Sequence, residues 1–125
     1  MLLLRLDRDL DNIKEQLERV KERFPNDINF DNFIEMVERG DIQVFPIRDM
    51  SVMVGQVRGD TVRIIAAAGV LNDILEFLPE FCDWYKDQGC VTATLGGRRG
   101  WKKFLLDMGW RCGDYEDELM KDLRL

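Results

Sequence analysis

The side chains of this chain that could do chemistry are concentrated in one basic segment, residues 96–110. Arg98, Arg99, Lys102 and Lys103 lie there within six residues, directly after two glycines. Cations grouped in this way can bind an anionic ligand such as a phosphate. They can also pair with carboxylates of the acidic tail, or an arginine stem can lie across a neighbouring indole ring. These roles stay open for Arg98 and Arg99, and the sequence favours internal pairing for one of the two.

Several other chemistries are excluded by composition. The 125 residues include no histidine, which removes Ser–His and Cys–His nucleophile pairs and histidine-ligated metal sites. Cys82, Cys90 and Cys112 show no C-x-x-C spacing, so we expect structural thiols in a reducing compartment and no metal centre. A net charge of -6 argues against a nucleic-acid-binding protein. No apolar run is long enough to predict a membrane span.

The elements around the basic segment predict how it is positioned. Residues 90–95 are rich in strand-forming types, and the glycine pair that follows is typical of a turn. Trp101, Phe104, Leu105 and Met108 then recur at helical spacing, and Gly109 suits a helix C-terminus. The unit is therefore strand, turn, helix and new strand, which is also what an ordinary α/β crossover would show.

The rest of the chain predicts an α/β (α+β) fold in a single domain, residues 1–125. The apolar periodicity changes from helical to strand-like near residue 42 and back again after Gly69. The expected elements are a strand at 2–6, a helix at about 9–24, a short helix capped by Asn29 or Asp31, strands at 42–48, Ser51–Arg58 and Thr61–Ala68, a helix up to Gln88 and a strand at 90–95. Pro79 either kinks the long helix or begins its main part. The tail at 116–123 is helical by propensity.

This order of elements resembles the GNAT acyltransferase superfamily. The segment Gly-Arg-Arg-Gly-Trp at 97–101 and the pair Gly109-Trp110, preceded by Asp-Gln-Gly-Cys at 87–90, resemble a group of short GNAT-like proteins encoded by bacteriophages. The resemblance implies a mixed, mainly antiparallel sheet with helices on both faces. It also implies that the tail is a strand beside residues 90–95, with Leu119 and Leu123 both facing inward.

The resemblance further implies a place for acetyl-CoA between two splayed strands, Thr61–Ala68 and 90–95. The cofactor-binding residues would be Arg98 and Arg99, for the phosphates, together with the loop residues Ala67, Ala68, Gly69, Val70 and Leu71. This loop has one glycine and an aspartate, Asp73, where the family's loop is glycine-rich. Repulsion between that carboxylate and the phosphates predicts weak or absent binding of acetyl-CoA.

No catalytic residue is assigned by the resemblance. Leu105 stands where many members carry a tyrosine that acts as general acid, and leucine cannot donate a proton. Glu76 and Glu80 follow the loop, but nothing in the sequence marks either as a base. Thr92 and Thr94 could face the cleft, although alternating threonines are more often simple strand formers.

Two functions follow from the resemblance. The first is a phage-encoded, acyl-CoA-dependent N-acetyltransferase with an altered cofactor loop. The second is a non-catalytic module of the same fold, associated with the virion or bound to another phage or host protein, as an inhibitor in one version. Either protein would work in the host cytoplasm or the virion, without nucleic acid or membrane. The sequence does not indicate an oligomeric state.

Overall fold

The computed structural model describes residues 10–48, 50–96, 99–115 and 118–124. The helices are α1 (Leu10–Glu18), α2 (Phe33–Glu38), α3 (Leu71–Asp87) and α4 (Arg99–Leu105). The strands are β1 (Gln43–Ile47), β2 (Ser51–Arg58), β3 (Thr61–Ala68), β4 (Thr92–Leu95), β5 (Arg111–Cys112) and β6 (Leu119–Asp122). The strand expected at 2–6 lies outside the described residues.

The described strands form one mixed sheet in the order β1-β2-β3-β4-β6-β5. Every neighbouring pair is antiparallel except β3 and β4, which are parallel because α3 carries the chain back across the sheet between them. The expected mixed, mainly antiparallel sheet is therefore confirmed, and β3 is an interior strand.

The helices cover both faces of this sheet, as the resemblance implied. On one face, α3 and Leu105 of α4 pack with inward residues of the strands in a first core cluster. On the other face, α1 and α2 pack over β1, β2 and β3 in a second core cluster. Consecutive residues of β3 divide between the clusters, since Ile64 belongs to the first and Ile65 to the second.

The tail is a strand, against its local helical propensity. β6 pairs with β4 from Leu95↔Leu119 to Thr92↔Asp122. Leu119 and Leu123 are both 4% exposed and lie in the first core cluster, which confirms that they face inward together. Burial of these side chains against β4 outweighs the weak preference of the segment for helix.

Two helices differ from the sequence-based expectation. α1 ends at Glu18, and a 3-10 turn at Lys21–Arg23 follows it, so the helix is shorter than the predicted 9–24. Phe24 is extended, with φ −63° and ψ 144°, because the proline that follows it disfavours the helical conformation. Pro79 lies inside α3, which starts at Leu71, so the interpretation that Pro79 begins the main part is wrong. Of the two candidate caps, Asn29 is the one that accepts a hydrogen bond, from the backbone N–H of Asp31.

The cysteines are free thiols, as expected. Cys82 and Cys90 are buried, and desolvation raises the pKa of the Cys82 thiol to about 12. Cys112 is exposed on β5. In the described part of the chain, no helix is long and apolar enough to cross a membrane. The same residues contain no cluster of acidic or cysteine side chains suited to a metal ion.

Gly55 allows β2 to pack closely against α3. A Cβ at this position would lie 2.5 Å from the Tyr85 hydroxyl oxygen and 3.0 Å from Cζ of Phe81. Tyr85 cannot move aside, because its ring is fully buried and its hydroxyl donates a hydrogen bond to Oε1 of Gln43 at 2.7 Å. Glycine is therefore required here for space.

We expect Gly55→Ala to lower the free energy of unfolding by about 1–3 kcal/mol, the usual cost of overpacking a core. Tyr85→Phe removes the clashing oxygen, so the double variant should lose less stability than the sum of the two single variants. Urea denaturation of the four proteins measures this coupling. Strict additivity would show that the Tyr85 hydroxyl is not what excludes a side chain at residue 55.

Candidate cofactor cleft

The strand β4 ends before its parallel neighbour β3 does. Their pairing runs from Thr61↔Thr92 to Ile64↔Leu95, whereas β3 continues to Ala68, paired with β2 alone. Residues 65–68 therefore have no described strand partner on the β4 side. The space beyond the end of β4, here called the opening, is therefore bordered on one side by backbone that has no described strand partner and can hydrogen-bond a ligand.

A β-bulge lies where the pairing of β3 with β4 ends. The β2–β3 register shifts between Val54 and Gly55, which are opposite Ala66 and Ile64, so Ile65 is the extra residue of β3. A bulge bends its strand and increases the local twist. The bulge therefore bends β3 directly after its last pairing with β4.

A tight turn leads from β3 into α3. Gly69 has φ +116°, and a Cβ there would lie 2.5 Å from the carbonyl oxygen of Met50 and from Cα of Ser51. Val70 is the N-cap residue and provides no side-chain cap. Its backbone N–H instead donates to the hydroxyl oxygen of Ser51 at 2.9 Å. Val70 and Leu71 are 46% and 39% exposed, so the start of α3 presents apolar side chains to solvent.

Asp73 is held inside the protein by its own partners. The Ser51 hydroxyl donates to Oδ2 of Asp73 at 3.0 Å, and Nη1 of Arg48 lies 3.1 Å from Oδ1. The residue is only 8% exposed. Since Ser51 belongs to β2, the carboxylate contacts the β2 side of β3, opposite to the opening. The weak-binding prediction assumed that this carboxylate faces the phosphates of the cofactor. That assumption is wrong, because the carboxylate is paired and lies on the other side of β3.

The residues expected to bind a cofactor are only partly brought together. Ala67, Ala68, Gly69, Val70 and Leu71 do lie together at the end of β3, beside the opening. Arg98 lies outside the described residues, and of Arg99 the structure describes only the backbone, as the first residue of α4.

Neither Leu105 nor Glu76 is arranged as an acid or base of the opening, and Glu80 is exposed on α3. Leu105 is fully buried in the first core cluster, and Glu76 is turned toward the β1–β2 turn, where its carboxylate lies 2.8 Å from Nη2 of Arg48. Thr92 and Thr94 are half-buried and alternate with Ala93 and Leu95, which point into that cluster. Residues 65–68 and 95–96, which border the opening, include no ionisable side chain.

Sequence reasoning missed Ser51 and Arg48. Ser51 is completely buried and carries the contacts that fix the start of α3. Arg48 has φ +53°, an unusual conformation for an arginine, and joins Asp73 to Glu76. The spacing of a tight turn between two strands was visible, but no sequence signal connected that turn to a helix twenty residues later.

Comparisons with known proteins were informative only at the level of structure. No family model matches this sequence, and no curated protein matches it. A GNAT-family acetyltransferase from Staphylococcus aureus superposes with a TM-score of 0.65 at 13% identity, over 98% of this chain and 97% of its own. The ribosomal-protein-S18-alanine N-acetyltransferase of Escherichia coli gives 0.64 at 11% identity, over 98% and 92%. A GNAT-family N-acetyltransferase from Escherichia coli in complex with CoA gives 0.64 at 14%, over 98% and 81%.

The chain has the GNAT fold. The similarity extends over nearly the whole chain, so the fold suggested by the order of elements is confirmed. At identities of 11–14%, this similarity shows the GNAT fold and no specific activity.

An ion pair lies beside the opening, at the end where β3 and β4 are still paired. Arg63 of β3 donates from Nη1 and Nη2 to the two carboxylate oxygens of Asp27, at 3.1 and 2.8 Å. Asp27 lies between α1 and α2, so the pair connects that helical layer to β3 one residue before its last contact with β4. The hydrogen bond from Arg63 lowers the pKa of the Asp27 carboxyl.

We expect Asp27→Asn to change how stability depends on pH. The folded-state pKa of Asp27 is depressed, so its stabilising effect is present above the unfolded pKa and is lost as pH falls through the folded value. The difference in unfolding free energy between wild type and variant should be largest near pH 6 and disappear at pH values well below 3.8. Urea denaturation from pH 6 to pH 2 measures it, and a constant difference would contradict the assignment.

We expect Ser51→Ala to reduce stability by about 2 kcal/mol, because it removes the hydrogen bonds that Ser51 makes with the Val70 N–H and with Oδ2 of the buried Asp73 carboxylate. Arg48→Gln is the matched control. It removes the other partner of the same carboxylate, but its side chain is 67% exposed, so its loss should stay below about 1 kcal/mol. Chemical denaturation compares the two, and an equal or larger loss for Arg48→Gln would contradict this ranking.

Proposed function

We propose that this protein is an acyl-CoA-dependent N-acetyltransferase, which transfers an acyl group from the CoA thioester to an amine. The observation that carries the proposal is that β3 extends beyond the end of β4, whose last pair is Ile64↔Leu95, so that residues 65–68 have no described strand partner on that side. A pantetheine arm carries amide groups that can pair with the unpaired backbone of residues 65–68, as an added strand would. The GNAT-fold structure that contains CoA supports the same assignment.

The residues at the opening fit the arm of the donor better than its diphosphate. The unpaired backbone of residues 65–68 offers donors and acceptors along the edge of β3, and Ala67 adds little bulk on the face covered by α3. At the start of α3, however, the Val70 N–H and the Asp73 carboxylate are already engaged by Ser51. Arg98 and Arg99 remain proposed phosphate ligands, on the grounds of sequence alone.

The proposed transfer forms a bond between the amine nitrogen and the thioester carbonyl carbon and breaks the C–S bond. The proton lost by the amine ends on the released thiolate. Because residues 65–68 and 95–96 carry no ionisable side chain, we assign these proton transfers to water. The contribution of the chain at the opening is then the orientation of the two reactants. The rate should accordingly follow the unprotonated fraction of the acceptor amine.

The donor site is tested by filling it. Ala67 faces the first core cluster with α3, whereas Ala66 faces the second cluster with α1 and α2. We expect Ala67→Leu to raise the Kd for acetyl-CoA at least tenfold, because the larger side chain narrows the opening on the side where α3 and α4 begin. Ala66→Leu leaves that side unchanged, so the factor by which it raises the Kd should be at least five times smaller. Calorimetric titration measures both affinities, and thermal melts check that both variants fold.

Thiol release from acetyl-CoA in the presence of a panel of amines tests the transfer itself. Saturable binding together with amine-dependent release of CoA is the expected result. No binding of acetyl-CoA by the folded wild type would overturn the proposal and would favour the second function from the sequence, a non-catalytic module bound to a phage or host protein. Bacteriophage origin and a place in the host cytoplasm or virion stay predictions.

A further inference from the structure

We draw no further inference here: the strongest candidate, the face of β4 and β6 on which Thr92, Thr94 and Met120 lie, contributes no side chain to either described core cluster, and nothing in the described part of the chain shows what covers it.

Discussion

The buried hydroxyl of Ser51 is the contact on which the geometry of the opening depends. It accepts the N–H of Val70 and donates to the carboxylate of Asp73, so one small side chain fixes both the end of β3 and the first turn of α3. Gly69 makes this possible, since a Cβ there would strike the backbone at Met50. The β1–β2 turn thereby becomes the support of the loop that a cofactor would meet, and Gln16 of α1 binds the same turn through the Met50 carbonyl.

This support changes the character of a GNAT-type loop. In a glycine-rich loop, backbone N–H groups point outward and wait for an anion. Here the first of those groups is directed into the protein, and the anion at the helix start is a side chain of the chain itself. The loop is thereby anchored to the β1–β2 turn, while the open edge of β3 keeps its unpaired backbone. The two halves of a typical cofactor site, the strand edge and the phosphate loop, are thus separated in this protein.

The sequence predicted the parts of the fold that depend on local patterns. The three-strand meander, the long helix after Gly69, and the strand at 90–95 follow from the period of apolar residues and from glycine positions. The strand character of the tail required the family resemblance, because its own propensity is helical and only burial of Leu119 and Leu123 decides it. The role of Asp73 was misjudged, because a carboxylate in a loop is equally compatible with exposure and with a buried partner. Its partners, Ser51 and Arg48, lie across β3 in space and more than twenty residues away in sequence.

The strand order also affects how the sheet of this molecule forms during folding. The pairs within β1, β2 and β3 join neighbouring segments of the chain, whereas β3 and β4 meet only after the whole of α3 has crossed the sheet, with residue 61 beside residue 92. Contacts between distant segments form late, because the entropy of closing the intervening loop is lost first. The junction between β3 and β4 is short, and it borders the opening. Forming this junction therefore costs more loop-closure entropy than forming the hairpins of β1, β2 and β3, and a molecule that bridged β3 and β4 would stabilise it.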